Sequence, residues 1–107
     1  MIARLVLWTL ADSDMTVADL RRHAAEEEVG VFSDVPGLLF RAWISDDSTE
    51  RWGAFDVWAT RQAAEQPLPS RAGELIGKEP DLVEIFDLEA SVSVADELDR
   101  RGLALDA

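Results

Sequence analysis

The chain contains no cysteine and a single histidine. The first absence removes disulfides, thiol nucleophiles, iron–sulfur ligation and cysteine-type zinc sites together. It fits a reducing compartment, and a cytoplasmic location is the expectation. Basic residues are scarce as well: 10 Lys and Arg stand against 22 Asp and Glu, a formal net charge of −12. That balance repels phosphate backbones and anionic lipid surfaces, so neither nucleic acid nor a membrane is an expected partner. No apolar run approaches the ~20 residues of a membrane span. The N-terminus shows no basic leader with an apolar stretch and a small-residue cleavage site. What is present is ordinary globular material: 107 residues, 48% hydrophobic and 30% charged. This is enough for one core, and residues 1–107 read as one domain.

The apolar stretch Ile2 to Leu10 predicts a largely buried strand. Ala11 to Asp14 breaks it. Thr16 then predicts a helix N-cap, with Asp19 in the first turn. Val17, Leu20 and Ala24 form an apolar stripe at helical spacing. Glu26, Glu27 and Glu28 are expected toward solvent, and Gly30 is expected to end the helix. Pro36-Gly37 marks a turn. Leu38 to Ser45 alternates, with Leu38, Phe40, Ala42 and Ile44 on one face and Leu39, Arg41, Trp43 and Ser45 on the other. A polar loop, Asp46 to Glu50, leads into a strand from Trp52 to Ala59, which makes a hairpin. Trp52, Ala54, Asp56 and Trp58 share one face of that strand.

Thr60 predicts a second helix through Ala63 and Ala64. Pro67 and Pro69 interrupt it, because proline lacks the amide donor that a helix interior needs. Ser70 restarts the helix, which carries Leu75 and Ile76 to a stop at Gly77. Leu82 to Leu88 reads as a fourth strand. Ser93 to Arg101 reads as a short C-terminal helix that Gly102 ends. The order β-α-β-β-α-β is the split βαβ plan of a ferredoxin-like fold: α+β, with helices on one face of a four-stranded antiparallel sheet. A chain this short has nothing left to cover an apolar second face. A homodimer packed sheet to sheet is therefore expected.

Chemistry has few carriers. His23 is the sole imidazole, a general acid–base candidate or else a helix–sheet boundary residue. No nucleophile-elbow spacing accompanies it. No metal is expected: one histidine and no cysteine leave only carboxylate ligands. Asp46, Asp47 and Glu50 lack the spacing and glycine of a calcium loop. Glycine patterns for phosphates or dinucleotides are missing, so no nucleotide or flavin cofactor is expected. Trp8, Trp43, Trp52 and Trp58 all fall in predicted strands. They either fill the core and a dimer interface or wall a pocket for a flat organic ligand, with Asp56 and Arg41 as its polar groups.

Pro36-Gly37-Leu38 with Trp43 downstream, Gly53 entering the third strand, and Phe86-Asp87-Leu88 followed by Ser91 resemble the small monooxygenases of the YdhR type. These belong to the dimeric α+β barrel superfamily, beside the antibiotic-biosynthesis monooxygenases. The likeness spans roughly residues 2 to 94 and implies the β-α-β-β-α-β plan in a homodimer. Phe55-Asp56-Val57-Trp58 is also similar to the aromatic–acidic–Val–Trp segment of the antibiotic-biosynthesis branch. There the tryptophan, with an asparagine four residues earlier, lines a pocket for polycyclic aromatic substrates. Trp58 matches the tryptophan, whereas Ala54 stands at the asparagine position. Further departures are Trp52-Gly53 for a Gly-Gly pair, Arg41 for a lysine, and Pro67-Leu68-Pro69 where relatives place an aromatic or histidine.

The resemblance implies oxygenation of a small aromatic or quinol-like molecule without metal, flavin or haem, hence no cofactor. Trp58, Trp43, Trp52 and Arg41 are then the expected substrate-binding residues. Asp56 or His23 is the expected base, and Arg41 is also expected to stabilise a substrate anion. The alternative is a non-catalytic dimeric module of the same fold that binds a small ligand or a partner. Haem degradation, with His23 as axial ligand, stands behind both.

Overall fold

A computed structural model describes residues 1–92 and 94–101. Strands β1 (Ile2–Thr9), β2 (Leu38–Asp46), β3 (Arg51–Trp58) and β4 (Leu82–Asp87) form one antiparallel sheet in the order β2-β3-β1-β4. Between β1 and β2 run α1 (Val17–His23), a π turn (Ala24–Glu28) and α2 (Val29–Phe32). Between β3 and β4 run α3 (Arg61–Ala64) and α4 (Ala72–Ile76), and α5 (Ala95–Arg100) follows β4. The chain is a small α+β domain, and its order of strands and helices is compatible with the ferredoxin-like plan. Among the described residues no helix is long and apolar enough to cross a membrane. Ser93 and Gly102, the expected bounds of the last helix, lie outside the described residues.

Local chemistry sets most boundaries. Thr16 and Asp19 make a reciprocal capping box, each side chain accepting from the other's backbone N–H at 3.1 Å. The Thr60 hydroxyl accepts from the Ala63 N–H at 3.1 Å and starts α3. Pro67 and Pro69 separate α3 from α4, and the Ser70 hydroxyl accepts from the Ala72 N–H at 3.2 Å. Gly77 ends α4 at φ 94, a left-handed backbone that glycine adopts without strain.

Three expectations are corrected. The first helical unit does not stop at Gly30 but continues to Phe32. Phe32 is only 2% exposed, so burying its ring outweighs the weak helix preference of glycine. Glu28 does not face solvent but is 2% exposed. The π turn, closed by the Val29 N–H on the Ala24 carbonyl, is wider than an α turn and holds Glu28 on the buried side with Ala24. Finally, a bulge between Leu38 and Phe40 breaks the simple alternation of β2. Leu38 thereby joins the helix-covered side, where it packs with Ile2 and Trp58.

The helix-covered face holds two apolar clusters. One gathers Trp8, Leu10, Val17, Leu20, Trp52 and Ile76; the other gathers Ile2, Trp58 and Ala64. The opposite face alternates out of phase with them and carries Leu5, Leu7, Ile44 and Phe55, with Phe40 (46% exposed) and Phe86 (50%) at its margins. Gly53 lies in that face between Leu7 and Ile44. A Cβ at Gly53 would stand 1.9 Å from the Val6 carbonyl oxygen, so no other residue fits there. A cavity of about 140 Å³ lined by Leu7, Ile44, Ser45, Asp46 and Arg51 opens beside it.

Two glycine replacements separate these constraints. Gly53→Ala is expected to lower stability by about 2–3 kcal/mol in urea unfolding, since backbone must move to admit the methyl group. Gly30→Ala, with nothing within 4 Å of the new Cβ, should raise stability by roughly 0.5–1 kcal/mol.

A buried charged row as the candidate functional site

The register of three strands dictates one row of side chains. Arg4 of β1 and Arg41 of β2 both stand directly opposite Asp56 of β3, one on each side. The three therefore form a line across the sheet on its helix-covered face. Asp56 is fully buried. Arg4 grips it with two bonds, Nε to Oδ1 at 3.2 Å and Nη2 to Oδ2 at 3.0 Å, and its Nη1 donates to the Ala64 carbonyl at 3.0 Å. Arg41 Nη1 donates to Oδ2 at 2.6 Å, and Trp58 Nε1 donates to Oδ1 at 2.6 Å. Both carboxylate oxygens thus accept two bonds each. Asp56 is an anchor whose lone pairs are committed.

Aromatic faces complete the row. The Arg4 guanidinium lies 5.5 Å from the Trp58 ring centre. The Arg41 guanidinium lies 4.0 Å from Phe32 and 5.1 Å from Trp43, and those two rings meet edge to face at 5.6 Å. Burial pulls the Arg41 guanidinium below its ordinary value, while the negative charges of Asp56 and Glu28 push it back up. The row therefore continues from Arg41 toward the π turn. There Glu28 Oε2 lies 3.6 Å from His23 Nε2, and His23 Nδ1 lies 2.7 Å from the exposed Glu27 carboxylate.

This neighbourhood holds unused hydrogen-bonding capacity. Among the described residues, the buried side-chain polar atoms without a partner are His23 Nε2, Glu28 Oε1, Arg41 Nε and Trp43 Nε1. All four belong to the stretch from the last residue of α1 to β2. Buried polar atoms are nearly always paired, and leaving one unpaired costs roughly 1–3 kcal/mol. Among the described residues, these four mark where buried hydrogen-bonding capacity is unmet.

The expected site residues thus separate. Asp56, Trp58, Arg41 and Trp43 come together in the row, and His23 joins from the helix side through Glu28. Trp52 does not; it packs with Trp8 in the first apolar cluster. Trp58, fully buried, spends its N–H on Asp56, so its edge is anchored within the row. Trp43 differs in that its Nε1 is fully buried without a partner. Sequence reasoning missed Arg4, Glu28 and Phe32. The signal for Arg4 was a lone cation inside an apolar strand, in phase with Ile2 and Trp8. Glu28 lay one turn beyond Ala24 on the same stripe. Compared with known proteins, the chain matches no family model and no curated protein.

Removing the anchor should be costly. Asp56→Asn leaves two guanidinium groups without their shared counter-charge. Urea unfolding should show a loss of about 3–5 kcal/mol, as for other broken buried ion pairs. Arg4→Lys should also destabilise, since an ammonium cannot reproduce the two-point grip.

Proposed function

We propose that the protein is a cofactor-independent monooxygenase that takes a small phenolic or quinol-like aromatic into the row between the π turn and β2, and that it works as a homodimer of the dimeric α+β barrel kind. The observation that carries the ligand site is the set of four unpartnered buried polar atoms beside the Phe32 and Trp43 rings. The resemblance of Phe55-Asp56-Val57-Trp58 and Pro36-Gly37-Leu38 to monooxygenase segments supports the reaction type. The apolar open face with Phe40 and Phe86 supports the dimer, because a face of this kind is stable in water only when covered.

With Asp56 committed to its partners, His23 is the proton acceptor. Glu27 beside Nδ1 favours the tautomer that leaves the Nε2 lone pair free, facing the buried side. A substrate hydroxyl gives its proton to Nε2. The resulting oxyanion is met by the N–H groups of Arg41 Nε and Trp43 Nε1. An electron-rich aromatic anion reduces oxygen directly, so one oxygen atom enters the ring and the other leaves as water. A naphthol plus dioxygen thus gives a naphthoquinone plus water, with both water hydrogens coming from the substrate. The protein contributes proximity, a water-poor enclosure and the base.

The second reading, a non-catalytic ligand-binding module, is favoured by Ala54 in place of the asparagine. Tryptophan fluorescence and an oxygen electrode separate the two with a panel of naphthols and hydroquinones. The enzyme quenches and consumes one dioxygen per quinone formed. His23→Gln should then bind similarly while turning over on the order of 100-fold more slowly. Quenching without oxygen uptake selects the binding module, and absence of quenching rejects both.

The assembly has its own test. The wild type should sediment at twice the 11.8 kDa chain mass. Phe40→Glu should shift it to a single chain. A monomeric wild type would overturn the dimer.

A further inference from the structure

Glu28 is the residue in this region that the sequence gives least reason to notice. It is a carboxylate 2% exposed, held inward by a π turn, with Oε1 unpartnered. Distortions of this type interrupt helices frequently at functional sites. On β2, two buried N–H donors lack acceptors, Arg41 Nε and Trp43 Nε1, and Arg41 feels the negative charge of Glu28. The unfilled capacity is therefore two-sided: acceptors on the helix side, donors on the sheet side. The charges also balance, because the guanidinium groups of Arg4 and Arg41 are matched by the carboxylates of Asp56 and Glu28.

We propose that Glu28 is the specificity-determining residue of the site, selecting neutral aromatic molecules that carry a hydroxyl or N–H donor for its Oε1 together with a second oxygen, hydroxyl or carbonyl, for Arg41 Nε and Trp43 Nε1. The inference rests on the reading of this region as the ligand site and deepens it by naming the ligand class. A ligand with a carbonyl but no donor leaves the Glu28 carboxylate unsatisfied. Such a mismatch at a buried polar group penalises binding far more than a missing methylene does. A preformed carboxylate is rejected for a different reason. The balanced row offers it no uncompensated positive charge, and the molecule as a whole is strongly acidic.

Calorimetry with three small probes tests this: para-hydroxyacetophenone, its methyl ether, and para-hydroxybenzoate. For the wild type, the hydroxy ketone should bind at least about tenfold more tightly than the ether, the range expected for a hydrogen bond to a charged group. The benzoate should bind worst. Glu28→Gln removes the negative charge and leaves the row with one excess positive charge. Its amide oxygen still accepts, so the preference for the hydroxyl should fall only to the few-fold of a neutral hydrogen bond, while the benzoate rises to or above the ketone; Glu28→Met, which has no such acceptor, should erase the hydroxyl preference. Trp43→Phe should weaken both ketones by the same factor and leave their ratio unchanged. Equal wild-type affinity for the hydroxy ketone and the ether overturns the role of Glu28, and needs no variant to fold. So does a folded Glu28→Gln protein with the wild-type ranking. Failure of the wild type to bind any probe overturns the ligand site itself and the inference with it.

Discussion

Two guanidinium groups share one buried carboxylate, and much of the helix-covered face is arranged around that fact. Buried ion pairs add little net stability, because removing charges from water offsets most of their attraction. What they supply here is register. Arg4, Asp56 and Arg41 sit on three neighbouring strands and meet only when β1 and β2 both pair correctly with β3. A slip of one residue would move an arginine to the open face and leave Asp56 buried with half its partners. An apolar residue at any of the three positions would tolerate the slip. The bulge at Leu38 serves the same end. It brings Leu38 into the second cluster beside Trp58 without disturbing the pairing of Arg41.

The same row leaves hydrogen-bonding capacity unmet. Asp56 accepts one bond from Arg41, and the remaining Nε of that guanidinium points away from any acceptor. The Phe32 and Trp43 rings, themselves in edge-to-face contact, both lie against the guanidinium. Glu28 then becomes necessary as a counter-charge at the far end, since Asp56 alone cannot neutralise two arginines. Its inward position depends on the π turn, and the π turn keeps His23 beside it. One packing decision, the burial of two arginines, thus leads through charge balance to an imidazole, a carboxylate and two free N–H groups in one enclosure. With the Asp56 oxygens committed to Arg4, Arg41 and Trp58, the proposed proton chemistry falls to the helix side.

Much of this was legible in the sequence. Thr16 with Asp19, Thr60, the prolines at 67 and 69 and Gly77 mark helix ends through local hydrogen bonding or backbone geometry, and each acts within four residues. Period-two alternation placed Trp52, Asp56 and Trp58 on one face and Arg41 with Trp43 on one face, and the structure unites those faces. What alternation cannot give is the partner across the strand. Whether Trp58 walls a pocket or caps a carboxylate depends on Arg4 and Arg41 reaching Asp56 as well, which is set by register. Glu28 was misjudged for a related reason. Three consecutive glutamates read as a solvated face, because burying a carboxylate is normally prohibitive. It becomes affordable only beside an arginine from a strand ten or more residues later. Gly30 misled similarly, since Phe32 gains enough from packing on Trp43 and Arg41 to carry the helix past it.

The two faces of the sheet divide the proposed functions without sharing side chains. Every residue named in the charged row lies on β1, β2, β3 or the helical unit between β1 and β2 of one chain. The open face, with Leu7, Gly53 and Ile44 in register, contributes nothing polar to the row. Yet both faces are written into the same three strands, in alternate positions. Twist joins them: Gly53 admits the close approach of the Val6 carbonyl, and Val6 packs against the cluster that holds Trp8 and Trp43. In the proposed reading, assembly takes the open face and ligand binding the helix-covered face, and alternate positions of the same three strands serve both.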